Sequence, residues 1–108
     1  MPSAVVSMTA ATMDLVAEKE NAKIKPSFIA VDNALAGVDA VLRFQDVFQT
    51  AAAPAVDITV DRLRINVSVL ACVSLRDELK DIRFLGKAQV VRGVLDASCH
   101  VTFAYDFE

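Results

Sequence analysis

An α+β domain is the fold class this sequence predicts, with one long apolar N-terminal helix wrapped by an antiparallel β-sheet. Three observations predict it. Residues 3–20 run without Gly or Pro behind Ser3, a residue type that caps helix starts, and they are apolar nearly all round, the mark of a buried helix. The second half of the chain alternates apolar and polar residues over long stretches, the period of half-buried strands. Finally, 108 residues suit one domain, 1–108, with a single core and no room for a second.

The elements follow in order. In the expected helix Asp14 is the only charged residue before the polar end that begins at Glu18, while Val5, Val6, Met8, Met13, Leu15 and Val16 spread around the circumference. Pro26 bars continuation, and Ser27 to Val31 lead into the polar pair Asp32-Asn33. Residues 34–44 read as a strand and 45–57, which contain Pro54 among alanines, as a loop or edge excursion. From 63 to 75 the alternation is regular: Leu63, Ile65, Val67, Val69, Ala71, Val73 and Leu75 share one face of a long strand. A charged turn at 76–81 and a strand at 82–91 come next. The closing strand carries Leu95, Ala97, Cys99, Val101, Phe103, Tyr105 and Phe107 on one face and His100 on the other. A sheet face and an apolar helix must cover each other, which gives the wrapped-helix architecture.

Composition removes several function classes. Eleven Lys plus Arg against fourteen Asp plus Glu give a net charge of -3, with no positive field for a phosphate backbone, so no nucleic-acid partner is expected. The apolar share is 55%, above the roughly 45–50% usual for soluble chains. Charges interrupt every stretch of the length a bilayer demands, so no membrane span is expected and the surplus is assigned to a subunit interface. Ala and Val together supply 33 residues, favouring β-structure with closely approaching elements. No basic stretch with an apolar run and cleavage site opens the chain, so a cytoplasmic location is expected. Cys72 and Cys99 lack metal-ligand spacing and read as thiols buried in a core; no metal and no cofactor are expected.

Candidate chemistry is sparse. Cys99 and His100 are adjacent, but the pleat sends them to opposite faces, which rules out a thiol and its base. His100 is the single imidazole and the first candidate for acid/base work, although a sheet-surface histidine is its plainer reading. Asp14 is the second, although with Glu18 one turn away it also suits a solvated helix face. Asp57 and Asp61 are not specifically spaced. No phosphate-binding loop, HExxH or GxSxG pattern occurs. Gly37, Gly86 and Gly93 lie in or beside strand patterns, where a bulge or a close approach is the usual reason for glycine.

Four segments carry a family resemblance: LAGVDAVLRF at 35–44, DRLRINVSVL at 61–70, RFLGKAQV at 83–90 and GVLDASCHVTFA at 93–104. In that order they resemble the strands of bacterial 3-hydroxyacyl-ACP dehydratases of the hotdog fold, and Met1-Pro2-Ser3 resembles the Met-Pro-Gly at the mouth of that family's central helix. The resemblance implies a hotdog-like domain, a homodimer or a hetero-oligomer with another hotdog subunit, and an acyl thioester or acyl carrier protein as partner. It implies an acyl cleft beside the helix face carrying Val5, Met8 and Thr12. The family's acidic position falls on Met8, which transfers no proton, and its histidine position would precede Met1. Asp14, six residues further along a helix, is rotated by roughly 240°.

Three functions are therefore expected in turn. The first is a catalytically degenerate hotdog subunit or acyl-thioester binder in fatty-acid or polyketide metabolism. The second is an active dehydratase or thioesterase with a relocated acid/base drawn from Asp14, Asp39 or His100. The third is a structural β-rich protein that assembles with itself and needs no ligand.

Overall fold

The structure is a computed structural model and describes residues 3–19, 22–33, 39–49, 56–92 and 96–108, with the side chains of 96–98 left aside. Among these residues eight strands run in chain order: β1 (Ser3–Met8), β2 (Thr12–Val16), β3 (Ile24–Asp32), β4 (Ala40–Gln49), β5 (Asp57–Val67), β6 (Cys72–Leu75), β7 (Lys87–Arg92) and β8 (Asp96–Phe107). They form two antiparallel four-stranded sheets, β1-β8-β3-β6 and β2-β7-β4-β5. A short 3-10 turn at Asp77–Leu79 is the only helical element among the described residues. The fold is all-β, and this overturns the expected hotdog-like α+β domain with its wrapped helix.

The expected helix at 3–20 is two strands in two different sheets. Val5, Val6, Thr9, Thr12 and Val16 are β-branched, which suits a pleated surface better than a helix. Along β1, Ala4, Val6 and Met8 turn inward while Ser3 and Val5 face out, a period of two. The chain crosses between the sheets at 9–11, where Thr9 N–H donates to the Ser7 carbonyl and the Ala11 carbonyl accepts from Arg92 N–H. No Gly or Pro marks that crossing. A run of small apolar residues is equally legible as a buried helix or as two short strands, and pairing with β8 and β7 decides it.

Two further expectations shift. The described part of 45–57 is mostly strand: β4 continues to Gln49, β5 begins at Asp57, and the register runs on to Gln49 opposite Asp57. Residues 34–38 and 50–55 lie outside the described residues, as do Met1, Pro2, Gly37, Gly93 and Leu95. The single long strand expected at 63–75 is β5 and β6, which belong to opposite sheets. Between them Leu70 takes φ 66°, a left-handed conformation uncommon outside Gly. The turn is fixed by Asn33, whose carbonyl accepts from Leu70 N–H and whose side-chain amide donates to the Ser68 carbonyl, and by Asp39, whose Oδ1 accepts from Val69 N–H. Pro26 is tolerated inside β3 because β6 covers only Ile29–Asp32 and a bulge lies between Pro26 and Phe28.

The core sits between the sheets. Phe44 from one sheet and Phe103 from the other stack with ring centroids 6.3 Å apart, and Phe84 meets Phe103 edge-on at 5.8 Å. Leu42, Val90, Ile29, Val31, Val101 and Cys99 fill the space around them. Cys99 is buried and His100 exposed, as the pleat requires.

One acid also faces inward. Ala40, Leu42, Phe44 and Asp46 occupy successive inward positions of β4, and Asp46 is fully buried. Its Oδ2 accepts from Arg62 Nε and Nη2 at 3.1 and 2.8 Å and from Leu85 N–H at 2.8 Å, and its Oδ1 accepts from Gly86 N–H at 2.9 Å. Arg62 is the extra residue of a bulge, since Phe44 pairs with Leu63 while Gln45 pairs with Asp61. Gly86 is there for closeness: a Cβ would lie 2.1 Å from the Val47 carbonyl oxygen.

Candidate functional site

Two surfaces of the sandwich carry chemistry. On the outer face of the first sheet, register places Ser7 (β1) opposite His100 (β8), His100 opposite Asp32 (β3), and Asp32 opposite Cys72 (β6). Directly opposed residues share a face, with Cβ atoms about 4.5–5.5 Å apart. A hydroxyl, an imidazole, a carboxylate and a thiol thus stand in one row across four strands. The next row is Val5, Thr102, Ala30 and Ser74. Small side chains at Ala30 and Ser74 leave a shallow hollow of about 300 Å³ lined by these residues with Asp32, Cys72, His100 and Thr102.

The order Ser7–His100–Asp32 matches the sequence of groups in a hydrolytic triad, but the setting does not complete one. The Cys72 thiol donates to Asp32 Oδ1 at 3.4 Å, which engages the carboxylate from the β6 side. β8 and β3 are each flanked by two strands, so their amides lie in the sheet plane and serve the ladders rather than pointing out from the face as an oxyanion site requires. Among the described residues no group of three or more His, Cys, Asp and Glu is placed to hold a metal ion.

The outer face of the second sheet is a polar lattice. Gln89 Nε2 donates to Gln45 Oε1 and Gln45 Nε2 donates to Asp61 Oδ1, each at 2.8 Å, joining β7, β4 and β5. Lys87 pairs with Asp14 at 3.1 Å, tying β7 to β2. One row further, Arg43 and Arg64 stand directly opposite each other, both exposed. Like charges in opposed positions work against the sheet. No ion pair to either arginine occurs among the described residues.

At the edge of this sheet β5 has, among the described residues, one neighbour, β4. β7 covers β4 only from Leu42 to Val47, so Phe48 and Gln49 pair with Ile58 and Asp57 alone. There the sheet thins to a two-stranded ribbon that leaves Ile58 and Val56 exposed, at 36% and 57%.

The residues expected to form a site are dispersed. His100 and Asp14 lie on outer faces of opposite sheets, and Asp14 is engaged with Lys87. Val5, Met8 and Thr12, expected on one helix face, are split: Val5 is 64% exposed on β1, Met8 is in the core, and Thr12 is exposed on β2. Among the described residues there is no α-helix for the expected acyl cleft to lie against. Asp39 serves the turn at Val69. Sequence reading overlooked Asp32 and Cys72 beside His100, because only strand register brings them together. It also overlooked Asp46, for which a signal existed: an acid two residues beyond Phe44 in an inward series.

No protein-family model, curated protein or solved structure matches the chain. None of these comparisons identifies a hotdog dehydratase. No helix among the described residues is long and apolar enough to cross a membrane.

Proposed function

We propose that this chain is a structural β-sandwich subunit that assembles with copies of itself through its sheet edges and needs no ligand to do so. The observation that carries this reading is the β4–β5 ribbon. A two-stranded ribbon is marginal in water by itself, yet this one continues beyond the cover of β7 with Ile58 exposed on it and Val56 just past its last pair. An eleven-residue edge strand also presents a long row of backbone groups to a further strand. The polar lattice on the outer face and the buried Asp46 node keep the ribbon's root rigid, as an assembling element requires.

The test is sedimentation velocity across a concentration series. Association above the 11.6 kDa mass of the single chain is expected, growing with concentration and needing no added small molecule. A single 11.6 kDa species up to several hundred micromolar would sink the proposal.

A further inference from the structure

We infer that β5 pairs antiparallel with β5 of a second copy of this chain about a two-fold axis between Arg62 and Leu63, setting Asp61 of each copy against Arg64 of the other. The inference rests on the reading of the chain as a self-assembling subunit and names the surface and register of that assembly.

The bulge at Arg62 makes this register possible. Before it, Asp57, Thr59 and Asp61 point to the outer face; after it, Arg64 and Asn66 do. Asp61 and Arg64 are three residues apart and would point to opposite faces of a regular strand, but the extra residue brings them to the same one. A two-fold antiparallel pair must match outer residues with outer ones, so odd positions before the bulge must meet even positions after it. Asp61 against Arg64 is the register that also sets opposite charges together. Thr59 then faces Asn66 on the outer side, while Val60 faces Ile65 and Ile58 faces Val67 on the inner side.

Charge argues for the same partner. β5 is acidic in its first part, with Asp57 and Asp61, and basic in its second, with Arg62 and Arg64. Arg62 is held by Asp46, which leaves Arg64 facing Arg43. Asp61 receives Gln45 on Oδ1, so Oδ2 is open to a second donor. Bringing Asp61 of one copy to Arg64 of the other satisfies both and relieves the Arg43–Arg64 opposition. The two four-stranded sheets become one eight-stranded sheet, and the lattice Gln89–Gln45–Asp61 continues into the neighbouring copy's arginine row.

Charge reversal tests the pairing without endangering the fold, because Arg64→Glu removes a like-charge opposition within the chain. By sedimentation, Arg64→Glu is expected to weaken association about tenfold or more, with thermal stability of the single chain kept or raised. The combined Asp61→Arg/Arg64→Glu change is expected to restore association. Register is read separately by Thr59→Cys with Asn66→Cys in a Cys72→Ser background. The two positions are about 23 Å apart along one strand and can bridge only between copies. A cross-linked dimer under mild oxidation is expected.

If Arg64→Glu leaves association unchanged, or the combined change fails to restore it, or no cross-link forms in a chain that still associates, the β5 register is wrong while the assembly reading stands. If the unaltered chain does not associate at all, both fall.

Discussion

Replacing Asp46 with Ala removes the one acid that is buried among the described residues. The change deletes the acceptor for two amides and a guanidinium at once. Gly86 N–H is buried and would be stranded, at about 1–3 kcal/mol, with the half-buried Leu85 N–H toward the lower end of that range. Arg62 is 28% exposed and can rehydrate, so its share falls toward the roughly 0–1 kcal/mol of exposed pairs. Together the loss is about 3 kcal/mol, a fall in Tm of about 12–24 °C at about 4–8 °C per kcal/mol for a domain of this size. Urea denaturation followed by far-ultraviolet circular dichroism measures it. Asp46→Asn keeps one acceptor oxygen and should fall between the Ala variant and the unaltered chain. Once Asp46 is gone, Arg62→Ala should cost little more, because the two act as one unit. A loss below about 1 kcal/mol for Asp46→Ala would refute the claim that this carboxylate fixes the β5 bulge and the turn before β7.

Four further outcomes are expected. Gly86→Ala drives a methyl group to 2.1 Å from the Val47 carbonyl oxygen and should destabilise by more than 2 kcal/mol; hydrogen exchange should show the loss concentrated in the β4–β7 pairing. In the native chain a thiol-alkylating reagent should modify exposed Cys72 and spare Cys99 until denaturant is added, giving one adduct and then two by mass spectrometry. Asp32→Asn weakens the acceptor of the Cys72 proton and should change the rate of that first adduct while leaving the melting temperature within a few degrees. The hydrogen bond from Arg83, against desolvation and with the charges of Arg83, Lys25 and Lys23, holds the Glu108 carboxyl below its ordinary 4.5. A carboxyl lowered on folding adds stability that is present above pH 4.5 and lost as the pH falls through the lowered value. Arg83→Ala should therefore raise the Glu108 titration midpoint toward 4.5, as read by NMR.

The alternating half of the chain was legible without coordinates. Val101 and Phe103 inside, His100 outside and the split between Cys99 and His100 follow from a period of two, which backbone geometry imposes on any strand. Composition, too, pointed correctly toward β-structure through its surplus of Val. What a period does not encode is the partner. The 63–75 alternation continues across the Leu70 turn although β5 and β6 belong to opposite sheets, because each side of the turn obeys the same pleat against a different neighbour. Residues 3–16 are apolar in a manner that suits a buried helix or two strands, and only edge positions beside β8 and β7, which consume their backbone donors and acceptors, select the strands. The site residues divide in the same way. His100 was found as a lone imidazole, but its row with Ser7, Asp32 and Cys72 comes from residues dozens of positions apart. Asp46 was readable as an inward acid; that its charge would be met by Arg62, Leu85 and Gly86 was not. Sequence by itself determined which face each strand residue takes, because that depends on the local backbone alone. Tertiary structure decided the sheet, the register and the site, because those depend on hydrogen bonds between segments that the chain brings together only on folding.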